Sequence, residues 1–376
     1  MSLPPHRLRD KDNILTFHNN QPVQRQENVA EAIQAHDSID DAASLASIDR
    51  PPSKEDHIPA IKVYSPYSPA VIALLMPASI FGVLARLGLQ ALMKYDGASI
   101  FPLAYVQALG CLCMGVALSL KEPLGNLRVP LSFVIVLSSF CGSLTTFSGW
   151  QLDIFDSWIN QGGFARDWLR TAIDGCTKLF FTLTVSLGSL SLGIHIGSIF
   201  APYIPSIAPP PWPVRYTLTI VSVLSYGATF VTYFLLSHSF RSKATAALLF
   251  SFPGTCTRYL LSITLNPRFK TMPVGTLSAN LFGTALLAAF HAIKGLPAPV
   301  SPVACDLLQG LADGYCGCLT TVSTFAAEVS ALSVRRRWVY ATVTIVLGQC
   351  LMVIILGPSF WAGDVSNSAE GSCRVE

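Results

Sequence analysis

Hydrophobic and polar positions divide the chain sharply at Ser68. Before it the residues are rich in Asp, Glu, Gln, Ser and Pro, too polar to bury a core, so 1–67 is expected to be a disordered tail. After it come nine apolar runs, near 69–93, 101–120, 130–158, 175–200, 215–237, 244–265, 273–294, 303–333 and 338–358. Each is of the order of the roughly 17–25 apolar residues that a helix needs to cross a bilayer. The third and eighth are longer than one crossing needs and end in polar residues. Ala201 to Pro213 is proline-rich and reads as a loop. Residues 359–376 read as a short tail.

Those two long runs share a motif. Gly142–Ser143–Leu144–Thr145–Thr146–Phe147–Ser148 returns as Gly317–Cys318–Leu319–Thr320–Thr321–Val322–Ser323, with Asp153 and Glu328 each five residues past the serine. Glycine and paired threonines allow a membrane helix to break, with hydroxyls at hand for the freed backbone groups. Irregular backbone is tolerated at membrane depth only inside protein or beside a watery cavity. A single copy could serve helix packing alone. Two copies at one spacing predict a site where two repeats meet, built on helices broken near Gly142 and Gly317.

The repetition extends further. Gly82-x-x-x-Arg86 matches Gly254-x-x-x-Arg258, and the stretch around Gln107 and Gly110 aligns with that around Asn280 and Gly283. The expected fold is all-α and integral to the membrane: nine transmembrane spans as two inverted four-helix repeats, residues 68–200 and 244–358, with the third and eighth helices broken. A linker region, 201–243, supplies the loop and one extra helix that turns the second repeat over. Lysines and arginines near the span ends divide almost evenly between the two sides, so orientation is left open.

Composition agrees with the membrane class: 51% of residues are hydrophobic and 12% charged, with mean hydropathy +0.49. A soluble chain carries about a quarter charged residues. The net charge of +3 gives no reason to expect nucleic acid. Cysteines lie mostly in apolar runs without metal-ligand spacing, and Cys316 and Cys318 read as small packing residues. No His–Glu, Ser–His or Cys–His constellation suggests an enzyme.

The polar residues inside apolar runs are the candidates for chemistry. Arg86 and Arg258 either form an anion-attracting vestibule or pair with helix ends. Asn280, with Thr276 one turn earlier, either offers amide donors to a dehydrated anion or bridges helices. Phe147 and Phe325 could present ring edges, which are positive, to an anion.

On these residues — the two G-x-L-T-T-[FV]-S motifs, the Gly-x-x-x-Arg pair and Gly275–Thr276–Leu277-x-x-Asn280 — the chain resembles the fungal fluoride exporters. Those are fused two-domain relatives of the bacterial CrcB/Fluc fluoride channels. The resemblance covers about residues 75–358. It implies a passive, fluoride-selective export channel of the plasma membrane, working as a monomer with internal two-fold pseudo-symmetry. It implies a structural Na⁺ on the main-chain carbonyls of Gly142, Thr145, Gly317 and Thr320. Pore-lining roles fall to Asn280, Phe147, Phe325, Ser323, Thr324, Tyr340, Thr276 and Glu328. Substituting Val for those threonines keeps the carbonyl, so it is expected to be milder than Val at Gly142 or Gly317. Gln107 stands in the first repeat where the second has Asn280, and Phe147 with Phe325 would make one intact aromatic pair while Val322 with Trp150 would make a degraded one. One working and one vestigial pathway follow. Inverted repeats with broken helices also serve ion-coupled antiporters, in which Asp153 or Glu328 would carry a proton. A non-transporting scaffold is the remaining alternative.

Overall fold

The computed structural model describes residues 66–120, 131–204, 210–237, 240–269, 271–295, 300–361 and Cys373. Residues 1–65 and most of the C-terminal tail, on which the tail expectations fall, lie outside the described residues. The described elements are helices: α1 Pro69–Leu92, α2 Pro102–Ser119, α3 Leu131–Leu144, α4 Phe147–Trp158, α5 Trp168–Phe200 and α6 Trp212–Leu235. They continue as α7 Ala246–Leu265, α8 Val274–Gly295, α9 Pro302–Gly310, α10 Ser323–Ala331, α11 Val334–Ile355 and α12 Gly357–Trp361. Proline opens α1, α2 and α9, where its missing N–H would have no partner anyway.

Among the described residues, six unbroken helices are long and apolar enough to cross a membrane: α1, α2, α5, α6, α8 and α11. The protein is thus an all-α, multi-pass membrane protein. Burial fits a lipid surround. In α6 only Ser222, Thr229 and Tyr233 are buried, whereas Leu224, Phe234 and Leu235 face outward. The polar side of that helix turns inward, and the Tyr226 hydroxyl donates to the Leu249 carbonyl of α7 at 2.8 Å.

The third and eighth runs are broken near Gly142 and Gly317, at the threonines that follow each glycine. Gly317 remains helical at φ −65°, ψ −30°. The extended residues are Thr146 (φ −143°, ψ 125°) and Thr320 (φ −92°, ψ 150°). Branching at Cβ favours that extended backbone, so the threonines, not the glycines, make the break. In the eighth run α9 passes through a π-helical turn, Leu311–Cys316, and a last helical turn, Gly317–Leu319, before the break. Two expectations are corrected. α5 begins at Trp168, seven residues before the predicted start, because Asp167 caps it by accepting from the Arg170 amide at 2.9 Å. Ala201–Tyr203, expected as loop, is a 3₁₀ turn.

The Gly-x-x-x-Arg pairs have a packing role. A Cβ at Gly82 would lie 2.8 Å from the Phe140 carbonyl oxygen, and one at Gly254 would meet the Tyr315 carbonyl. Each glycine thus lets its helix lie against the run that breaks. The arginine one turn further along the same face is carried to the break itself.

Candidate site at the crossed helix breaks

The two breaks cap one another. Thr320 Oγ1 accepts from the amides of Phe147 and Ser148, both at 3.1 Å, and donates to the Cys316 carbonyl at 2.9 Å. Thr145 Oγ1 accepts from the amides of Val322 (3.2 Å) and Ser323 (3.1 Å) and donates to the Cys141 carbonyl at 3.0 Å. A hydroxyl has one donor and two acceptor sites, so both threonines are fully used. Each orphan N-terminus of a restarted helix is satisfied from the other repeat. Each break also caps itself: the Gly149 amide donates to Thr146 Oγ1 and the Thr324 amide to Thr321 Oγ1, both at 3.3 Å. Equivalent contacts recur in mirrored pairs, Thr146 with Thr320 (3.1 Å) and Thr145 with Thr321 (3.2 Å), while Ser79 meets its own counterpart Ser251 at 3.3 Å.

Arg86 and Arg258 do not line an open vestibule. Both are buried. Arg86 donates to the carbonyls of Ser143 (3.0 Å), Gly317 (2.7 Å) and Asp313. Arg258 donates to the Ser139 carbonyl at 3.3 Å and lies against Gly142. Each guanidinium therefore sits at the end of the helix that breaks in the other repeat, where the negative pole of the peptide dipoles stabilises a cation.

The four carbonyls assigned to a cation fit it in kind. They are neutral oxygens at two helix ends, which suit a hard monovalent ion better than a divalent one. No donor among the described residues reaches the buried Thr145 or Thr320 carbonyl. Gly317 O already accepts from Arg86, which leaves it one further lone pair. No cluster of three or more His, Cys, Asp or Glu side chains among the described residues could hold a metal.

On one side of the crossing a continuous polar and aromatic row forms. Glu328, buried, accepts from the Thr276 hydroxyl at 2.5 Å and from the Tyr340 hydroxyl at 2.7 Å. The Tyr340 ring lies 5.4 Å from that of Phe325, and Phe325 lies 5.8 Å from Phe147 edge-on. Phe147 and Phe325 are thus brought together from opposite repeats. Asn280 holds the Thr321 peptide from both ends, accepting from its amide at 2.8 Å and donating to its carbonyl at 3.2 Å. The bridging reading of Asn280 is therefore realised, and the amide keeps a second N–H. Ser323 Oγ lies 3.1 Å from Thr145 Oγ1, while Thr324 is half-buried beside Thr321.

The first-repeat counterpart is poorer. Gln107 donates to the Thr146 carbonyl at 2.7 Å, but its Oε1 has no partner. Among the described residues no tyrosine hydrogen-bonds Asp153; Lys178 Nζ donates to its backbone carbonyl at 3.3 Å, and Trp150 Nε1 donates to the Lys178 carbonyl at 3.2 Å.

Several features lay outside the sequence reading. Asp313 belongs to a polar chain in which Lys294 donates to Gln309, and Gln309 donates to Asp313 Oδ2 at 2.5 Å. Its i, i+4 spacing from Gln309 was a readable sign. The Cys305–Cys373 disulfide joins α9 to the tail, and nothing in the spacing of the cysteines pointed to it.

Comparison with known proteins gives the family. The family model described as CrcB-like protein, Camphor Resistance (CrcB), matches twice, over residues 73–194 and 245–358. The chain is 30% identical to "Fluoride export protein 1" of Neurospora crassa over 350 residues, covering 77% of this chain and 66% of that protein. It is 31% identical to "Fluoride export protein 1" of Schizosaccharomyces pombe, covering 75% of this chain and 94% of the relative. To "Fluoride-specific ion channel FluC" of Escherichia coli it is 32% identical over 115 residues, 31% of this chain and 88% of that one. No solved structure matches.

Proposed function

This chain belongs to the CrcB family, as a fungal-type fused member with two copies of the domain, and on that premise we propose that it is a passive fluoride channel of the plasma membrane. Two inverted four-helix repeats joined by α6, nine crossings in all, make the conducting unit within one chain. The reciprocal contacts at the breaks support this, because a two-fold relation makes residue i meet j wherever j meets i. The curated relatives carry fluoride export or fluoride channel names, which sets the substrate class.

The observation that carries the reading is the single row Glu328–Tyr340–Phe325–Phe147 beside Asn280, set against its degraded counterpart at Gln107, Trp150 and Lys178. Fluoride is small and strongly hydrated, so it must exchange water for several fixed donors. Hydroxyls of Ser323 and Thr324, the free N–H of Asn280 and the positive edges of Phe147 and Phe325 supply them, while the Thr276 and Tyr340 hydroxyls, which donate to Glu328, line the row beside them. Chloride is too large for the same set. One pathway conducts and the first-repeat pathway is vestigial. A negative-inside potential drives the anion outward with about 2.3 kcal/mol per 100 mV, so no other energy source is required. A Na⁺ on the carbonyls of Gly142, Thr145, Gly317 and Thr320 would be structural, offsetting the repulsion of dipoles that converge at the crossing.

Purified protein in liposomes should release fluoride far faster than chloride; comparable chloride flux would sink the assignment. One observation keeps a second mechanism in play: Glu328 is buried on the row itself, where a proton carrier of an antiporter would sit. Reversal potentials separate the two. A channel gives a Nernstian fluoride potential without dependence on a pH gradient.

A further inference from the structure

Past Phe147, α4 and α11 bury two glutamines against one another. Gln151 is fully buried and Gln349 is nearly so, with 7% of its surface exposed. Gln349 Nε2 donates to the Gln151 backbone carbonyl and to Gln151 Oε1, both at 2.9 Å. Turning the Gln349 amide over would set its oxygen against the Gln151 backbone carbonyl, and turning that of Gln151 would set two NH₂ groups together. The arrangement is therefore fixed by its partners, and it leaves Gln151 Nε2 and Gln349 Oε1 without any. A buried amide donor left unpaired costs about 1–3 kcal/mol, and a native structure that keeps one needs a reason for it.

Position supplies the reason. A Cβ at Gly348 would lie 3.0 Å from Gln151 Oε1 and 3.1 Å from Phe147 Cε1, so the Gln151 amide group, through its oxygen, and the Phe147 ring both pack on the bare backbone of that glycine. Gly348 follows Tyr340 and Thr344 at four-residue steps on one face of α11, continuing the row that starts at Glu328. One turn beyond Gln151 comes Phe155, and one turn beyond Gln349 comes Val353. Both line a cavity of about 330 Å³ with Trp158, Ile159, Phe360 and Trp361. Gln151 thus lies between the Phe147–Phe325 pair and open space at that end of the molecule. The equivalent position in the second repeat, 175 residues on, is Ala326, so the arrangement occurs once.

We propose that the unpaired Gln151 Nε2, in an amide whose orientation Gln349 fixes, is an anion-binding station of the pathway between the Phe147–Phe325 pair and the Phe155 cavity. It rests on the fluoride-channel reading above. An N–H of Gln151 Nε2 on a bare anion forms a charge-assisted bond, stronger than one to a neutral acceptor, so the ion pairs the donor that no side chain or backbone group pairs.

The test is fluoride efflux from liposomes containing the full chain. Gln151→Leu keeps the volume and removes the donors, while Gln349 Nε2 still reaches the Gln151 backbone carbonyl. It should lower fluoride flux about ten-fold or more, with an unchanged elution profile. Gln151→Asn, which restores a donor, should recover part of that flux, a rescue that a purely packing role would not produce. Gln349→Leu frees the amide to turn and should cost several-fold. If Gln151→Leu aggregates, Gln151→Ala, the residue the second repeat tolerates here, is judged by the same criterion. Wild-type flux in the donor-less variant overturns the station, as does failure of Gln151→Asn to exceed it. Absence of fluoride efflux from the wild-type protein overturns the channel reading instead, so the two failures are distinct.

Discussion

Thr320→Val tests the reciprocal capping most directly. Valine matches threonine in shape, so no cavity opens, and the backbone carbonyl of residue 320 stays in place. What is lost is the hydroxyl that accepts from the Phe147 and Ser148 amides. Both residues are buried, so no water replaces it. Each orphaned donor costs about 1–3 kcal/mol, and loss of an N-cap threonine about 0.5–2 by itself. The self-cap at Thr146 survives, which puts the sum at about 2–4 kcal/mol. At about 1.4 kcal/mol per factor of ten, amide exchange in a peptide spanning Phe147 and Ser148 should accelerate roughly 30- to 700-fold. Hydrogen-exchange mass spectrometry on the detergent-purified protein reads this directly. Thr284→Val is the control, since that buried hydroxyl only donates, at 2.7 Å, to the Asn280 carbonyl within its own helix. A Cβ at Gly317 would collide with Arg86 Nη2, and moving that guanidinium would break its bonds to the Ser143 and Gly317 carbonyls, so Val at the threonines is still expected to be milder than Val at Gly317. Exchange in Thr320→Val no faster than in Thr284→Val would refute the capping argument.

Asn280→Asp replaces the donor to the Thr321 carbonyl with a second acceptor and should abolish fluoride efflux, whereas Gln107→Ala should leave most of it; equal damage in the flux assay would argue for two working pathways. Arg86→Leu strips charged donors from the Ser143 and Gly317 carbonyls, and a loss of about 2–4 kcal/mol should show as poor yield of folded protein, with Arg86→Lys intermediate. Long equilibration in Na⁺-free medium should reduce both efflux and thermal midpoint. Unchanged values, with no cation in a high-resolution map, would remove the ion from the account.

The sequence by itself determined the membrane class, the two-fold repetition and the existence of two breaks, because each is a local or periodic signal. Runs of apolar residues are counted along the chain, and a Gly-x-Leu-Thr-Thr motif can be matched to its copy without knowing where either lies. The polar residues at the crossing, from Arg86 and Asn280 to Glu328, were also legible, since a polar side chain in an apolar run stands out. What tertiary structure alone decided is who meets whom. Thr320 caps the helix starting at Phe147, 173 residues away, and Gln349 orients Gln151 across 198. The hydroxyls near each break suggested a cap, but only docking of the repeats makes each hydroxyl serve the opposite helix. The arginines read equally well as a vestibule or as helix-end partners until burial and three carbonyls settled Arg86 as the latter. Gln151 carried no motif and lies in a polar stretch where glutamine is unremarked. Its meaning comes from an unpaired donor, and whether a donor is paired depends on atoms that only the folded chain brings within 3 Å.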